Sequence, residues 1–227
     1  VLYIKGDEIV SSTSIKDSSF SGKAITANGN ARTSGNGKIG NALYFDGNDN
    51  FTTPDSPDFT LGGNNFTLQS WVYLNAAVSG TDYMMHMEGT NYDWVFVIDS
   101  TSGLGFSYYN AAWNYYYVNW TPSVNNWYLL TLTRSGNTLY YYVNGNLIGA
   151  KTFSTTMGDP ANFKMHIGDY IVGNGNGING LMDEILIING TALTPDQIRQ
   201  AYEYGLRSHQ ITIDFGATLQ SSDLISS

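Results

Sequence analysis

"NNWYLLTLTRSGNTLYYYVNGNLIG", residues Asn125 to Gly149, reads as three strands and two turns. Trp127 to Ser135, Thr138 to Val143 and Asn146 to Phe153 are runs rich in β-branched and aromatic residues, the side chains that suit a pleated, half-buried surface. Ser135-Gly136-Asn137 separates the first two runs. Asn144-Gly145 separates the second pair, and Asn-Gly suits a type I′ turn because both of its central residues take positive φ. Three strands joined by such short turns form an antiparallel meander.

The same grammar extends outward in both directions. Strand candidates upstream are Ala42 to Phe45, Phe66 to Leu74, Met84 to Met87, Trp94 to Asp99, Gly105 to Tyr109 and Asn114 to Trp120, and downstream Phe163 to Gly168 and Gly180 to Ile188. Clusters of Gly, Asn, Asp and Ser separate them, which is an all-β pattern with enough strands for two sheets. The convincing helix is "TPDQIRQAYEYG", with Thr194 as cap, Pro195 in the first turn and Gly205 as the stop. Residues 1–205 read as one domain and 206–227 as a tail, in which "QITIDF" alternates like an edge strand or serves as a linker.

Composition limits the function. The chain has 227 residues, ten Lys plus Arg and a formal charge of −9, which argues against a phosphate-tracking surface, since nucleic-acid binding rests on clustered cations. No apolar run is long enough to insert into a membrane. There is no cysteine, so neither a disulfide scaffold nor a thiolate metal site exists. Sequons at Asn50, Asn65, Asn119 and Asn189 are what chance yields in a chain this rich in Asn, Ser and Thr. "GNGING", Gly175 to Gly180, fits a dinucleotide fingerprint only formally, because a strand and not a helix follows it.

The unusual stretch is "NAAWNYYYVNW", Asn110 to Trp120. Strand alternation sends Trp113, Tyr115 and Tyr117 to one face and Tyr116, Val118 and Trp120 to the other. One face belongs to a core. The other, joined by Tyr108 from a neighbouring strand, offers rings to a flat, polar ligand such as a sugar. "GTNYDW" adds Tyr92, Asp93 and Trp94 at the head of a strand, Trp94 as a stacking platform and Asp93 as an acceptor for hydroxyls.

Taken together, "KIGNALYFDGNDNFTTP", "NNFTLQSWVYL", the Asn125–Gly149 stretch and "INGLMDEILIINGTALTPDQIRQAY" resemble the concanavalin A-like laminin-G/pentraxin jelly rolls over about residues 14 to 204. The resemblance implies an antiparallel two-sheet sandwich, one sheet concave, with one short C-terminal helix. It implies core roles for Trp71 and Trp127, and leaves Trp94, Trp113 and Trp120 unmatched. It also implies a structural calcium between an N-terminal loop and the penultimate strand, with Asp17 and Asp183 as its ligands; Asx-turn and loop-bonding roles for the same two residues are the alternative.

Relatives of this kind serve many functions, so the site must decide. A glycosidase needs two carboxyl groups about 5 Å or a little more apart, and none of Glu8, Glu88, Glu184 and Glu203 stands in such a motif. Asp183 and Glu184 are adjacent on a strand and so expected on opposite faces. His86, His166 and His209 lack a recognisable partner motif. The expectation is therefore a non-catalytic carbohydrate-binding or adhesion module of a surface, secreted or virion protein, with a glycan or protein ligand. The alternative is a structural or protein-interaction domain of a viral fibre, capsid decoration or cell-surface assembly; a polysaccharide-degrading enzyme working through Glu88 or His86 ranks third.

Overall fold

A computed structural model of the chain describes residues 1–89, 92–159, 163–170, 172–173 and 175–214, with side chains to 207. The strands are, in chain order, β1 (Leu2–Ile4), β2 (Thr26–Asn28), β3 (Arg32–Ser34), β4 (Ala42–Asp46) and β5 (Asn50–Thr53). Then come β6 (Phe66–Leu74), β7 (Thr81–Met87), β8 (Asp93–Asp99), β9 (Gly103–Tyr109) and β10 (Trp113–Val118). The last are β11 (Trp127–Ser135), β12 (Thr138–Val143), β13 (Asn146–Thr152), β14 (Met165–Ile167) and β15 (Asn179–Asn189), followed by helix α1 (Pro195–Asp214).

They form two antiparallel sheets. One runs β13-β12-β11-β6-β15-β4-β3 with β1 added alongside β15; the other runs β10-β9-β8-β7-β14-β5-β2. The Asn125–Gly149 stretch is the meander β11-β12-β13, with Asn144 and Gly145 both at positive φ (51° and 79°), as a type I′ turn requires. Alternation fills the space between the sheets. Phe66, Leu68, Val72 and Leu74 from β6 meet Trp94, Phe96 and Ile98 from β8 and Leu104, Phe106 and Tyr108 from β9 in one core.

At one point in β15 the alternation breaks. The register shifts between Asp183 and Leu186, and Glu184 takes φ 50°, a β-bulge that moves the core-facing set from Met182 to Ile185 and Ile187. Asp183 and Glu184 therefore do not follow the strict opposite-face rule expected of them.

Helix α1 begins as the sequence predicts. The Gln197 amide N–H donates to Thr194 Oγ1 at 3.3 Å and the Thr194 N–H donates to Gln197 Oε1 at 2.9 Å, a reciprocal capping box. It does not stop at Gly205 but continues to Asp214, so the strand reading of "QITIDF" fails for its helical part; residues 215–227 lie outside the described region. The glycine answers a packing need. A Cβ there would lie 2.4 Å from the Trp71 ring, so Gly205 lets the helix press onto the indole, which also stacks on Tyr202 at 5.6 Å. Trp71 is thus buried, on the outer face of its sheet beneath the helix. Trp127 is not core: it sits half-buried on the same outer face, tilted against Tyr73 at 5.6 Å. Among the described residues no helix is long and apolar enough to cross a membrane.

Candidate functional site

The register of β10 on β9 decides which rings reach solvent. Trp113 pairs with Tyr109, Tyr115 with Ser107 and Tyr117 with Gly105, so these six share the outer face of the seven-stranded sheet. Trp113, Tyr115 and Tyr117 follow one another at 6.4 and 6.1 Å between centroids, the first pair with ring planes nearly parallel at 23°. Trp113 is 38% and Tyr115 65% exposed. Gly105 matters here, because a Cβ would lie 2.2 Å from the Tyr117 ring; the glycine lets that ring lie over the sheet, and the ring covers the glycine.

Beside this row is a pocket of about 330 Å³. Val95, Val97 and Ser107 form its floor, with Tyr83, His86 and Thr81 from β7, Asp93 from β8 and Tyr170 around it. Ser107 Oγ donates to the Tyr117 hydroxyl at 3.2 Å. His86 Nε2 and Asp93 Oδ1 lie 2.5 Å apart, and the His86 ring stands edge-on to Tyr170 at 4.5 Å. His86 also stacks on His166 at 5.6 Å, whose Nε2 is 3.2 Å from Glu88 Oε2. Burial pushes the phenols of Tyr83, Tyr117 and Tyr170 up, keeping them neutral hydroxyls over the whole physiological range. The pocket therefore offers ring faces, hydroxyls and one carboxylate, which suits a polyhydroxylated ligand.

Of the residues expected in the site, Asp93, Trp113, Tyr115 and Tyr117 come together. Trp94 does not: it is 2% exposed, points inward, donates Nε1–H to the Phe59 carbonyl at 3.0 Å and stacks on Phe106. Tyr108 is likewise core at 1% exposure and donates no face to solvent, because its partner across the ladder is Asn114 and not Trp113 or Tyr115. Tyr92 packs against the core and over Gly158 rather than into the pocket. Tyr83, His86, Ser107 and Tyr170 complete the site; the first three share the sheet face by register (Tyr83 with Val97, His86 with Val95, Val95 with Ser107).

Asp17 and Asp183 each close a loop. Asp17 Oδ1 accepts the N–H of Tyr3 and, in an Asx turn, of Ser19, while Oδ2 accepts from Lys23. Asp183 Oδ2 accepts from Ile39 N–H and Oδ1 from Glu184 N–H, both at 2.8 Å. Among the described residues no three His, Asp or Glu side chains are grouped to hold a metal.

Burial nevertheless gives several carboxyls an unusual affinity for protons. It pushes Asp183 up to about 8 against the pull of the backbone N–H groups around it, Asp82 to about 7 with help from Asp169, and Glu184 to about 7. In these three the folded state holds protons that the unfolded state releases above about pH 4, so stability falls as pH rises through 4 to 8. His166, lowered by burial and then by His86, has the opposite sign, and its effect is confined to pH below about 6.5. The carboxyls outnumber it, and a charge of −9 adds self-repulsion toward high pH. The thermal midpoint is therefore expected to be higher at pH 5 than at pH 8, with a flatter slope in Asp183→Asn; calorimetry across that range checks both.

The family described as the concanavalin A-like lectin/glucanases superfamily matches residues 45–199. No curated protein sequence matches the chain. In structure it is similar to domain 4 of AbnA, an extracellular GH43 arabinanase from Geobacillus stearothermophilus, in complex with arabinotriose, with TM-score 0.71 and 20% identity over 88% of this chain and 96% of that one. It is also similar to the binding domain of Paraclostridial Mosquitocidal Protein 1 (TM-score 0.71, 16% identity) and of botulinum neurotoxin serotype G (TM-score 0.69, 13% identity). The chain, matched over 90% and 89% of its length, spans about half of each of those two: 52% and 50%.

Proposed function

We propose that this chain, which belongs to the concanavalin A-like lectin/glucanase superfamily, is a non-catalytic carbohydrate-binding module whose ligand is an uncharged saccharide lying along Trp113, Tyr115 and Tyr117. The observation that carries this reading is the exposed ring row beside a hydroxyl-lined pocket, since large rings left in water on a sheet face mark a binding surface. Sugars present an apolar C–H face and a rim of hydroxyls, and the site offers a partner to each. The arabinotriose bound by the similar arabinanase domain supports the ligand class, and that enzyme's extracellular setting supports a location outside the cell.

The uncharged character follows from what surrounds the rings. No Lys or Arg lines the described pocket, and its carboxylate, Asp93, would repel a uronate or sulfate. The same accounting argues against glycoside hydrolysis, because Asp93 is the lone carboxylate among the described lining residues and is tied to His86, whereas retaining and inverting cleavage need two.

On a glycan array, neutral oligosaccharides are expected to bind, and counterparts carrying an acidic group at the contacted residue to bind about tenfold more weakly. Affinity for a neutral ligand is expected to hold constant from low salt to about 0.5 M, where exposed ion pairs are screened. Strong preference for acidic glycans, or a steep salt dependence, overturns this reading of the site. Equal binding in calcium and in chelator is expected as well, because no described contact of the ring row involves a metal-ligating cluster.

A further inference from the structure

The opposite face of the sandwich carries a second row of rings. Arg32 pairs with Tyr44, Tyr44 with Leu181, Leu181 with Tyr73 and Tyr73 with Trp127, so one line of side chains crosses five adjacent strands, β3-β4-β15-β6-β11. Paired positions share a face, and the next residue of each of β4, β15 and β6 (Phe45, Met182, Leu74) is core, which puts the line on the outside. The solvent side of an antiparallel sheet is ordinarily polar. Here Tyr44, Tyr73 and Trp127 are half-buried neighbours of one another across the buried Leu181, and the loop from Ser34 to Gly40 borders a cavity of about 630 Å³ above them.

The geometry points to this groove as a second saccharide-binding site, independent of the first. Its size falls within the usual range for small-molecule sites, about 300–1,000 Å³. Its wall combines ring faces from Tyr73 and Trp127 with the side-chain amides of Asn36 and Asn75, one apolar plane and several donors and acceptors, as a sugar ring requires. A phosphate or sulfate ligand fits poorly: Lys38, the cation of the groove, is already placed over the Trp71 ring with Nζ 4.9 Å from its centroid. Arg32, at the end of the row, is likewise occupied by Tyr44 at 4.3 Å. A flat protein partner would need about 800 Å² of surface on this side, and the rings are instead recessed beside a loop. Two sites on opposite faces would let one module bridge two glycan chains.

The test gives each site its own reporter. The chain is labelled with 5-fluorotryptophan, the Trp113 and Trp127 resonances are assigned by substitution, and arabino-, xylo-, gluco- and galacto-trioses are titrated in turn. The expected result is a saturable shift of Trp127 whose Kd stays within about twofold in Tyr115→Ala, as distant sites without shared partners behave. A Trp127 resonance that no triose moves overturns the proposal, and so does a shift that vanishes in Tyr115→Ala, since that marks an echo of the first site. Movement of Trp113 alone leaves the ring-row reading standing while removing this one.

Discussion

Replacing Tyr115 by alanine is expected to weaken saccharide binding at the seven-strand face by about thirtyfold, on the order of 2 kcal/mol, and to leave the thermal midpoint unmoved. The two halves of that expectation come from one number, the 65% exposure of Tyr115. A ring so open contributes little to folding, because what it would lose on unfolding it has already left in water. A bound sugar changes this, since stacking covers the ring and the sugar's C–H face together. Tyr115 sits between Trp113 and Tyr117 in the row, where a ligand spanning either neighbour also covers it. Tyr115→Phe keeps the plane and loses the hydroxyl, and should bind within about tenfold of the parent, a neutral hydrogen bond being worth about 0.5–1.5 kcal/mol. The Trp113 fluorine resonance reads both variants at this site alone. Unchanged affinity in Tyr115→Ala would remove the ring row from the binding surface.

Tyr117 is a poorer probe for a physical reason. Its ring covers Gly105, and its hydroxyl accepts from Ser107, so alanine there exposes backbone as well as removing a contact. A loss of binding could then follow from a loosened β9–β10 pair.

Much of this is legible in the sequence. Phe66–Leu74, Trp127–Ser135 and Thr138–Val143 are strands with the ends that composition and turn chemistry predict, because long runs of branched and aromatic residues between Gly and Asn leave no competing structure. β2, β3 and β5 are not legible: Thr-Ala-Asn, Arg-Thr-Ser and Asn-Phe-Thr-Thr have no periodicity of their own and become strands through their pairing, β3 on β4, β2 on β5 and β5 on β14. The site shows the same division. Trp113, Tyr115 and Tyr117 share a face by local alternation, which a sequence states outright. Which residue of the next strand joins them depends on hairpin register, and a one-residue slip is the difference between Tyr108, which is core, and Ser107 and Tyr109, which are outside. Trp127 lies outside the core for a related reason, since the family likeness gives its strand and not the face its ring takes.

Trp94→Ala carries the largest expected cost to folding, about 3–5 kcal/mol, or a fall in thermal midpoint of roughly 6–20 °C for a chain of this size. The indole is 2% exposed, lies against Phe106 and contributes to the core shared by both sheets. Its Nε1–H also closes the carbonyl of Phe59, at the end of the short turn Pro57–Phe59, so alanine leaves a buried acceptor without its donor on top of the cavity. Trp94→Phe refills most of the volume and still loses that bond, which places it between the two, at about 1–3 kcal/mol. Saccharide affinity read at Trp113, well below the midpoint, should hold in both variants, because Trp94 points to the core while its neighbours Asp93 and Val95 face the pocket. Taken with Tyr115→Ala, the pair separates two kinds of tryptophan- and tyrosine-rich strand: one ring lost costs the fold and spares the ligand, the other spares the fold and costs the ligand. A Trp94→Ala protein that melts like the parent and no longer binds would instead place the indole in the site, and the inward orientation of β8 would have to be abandoned.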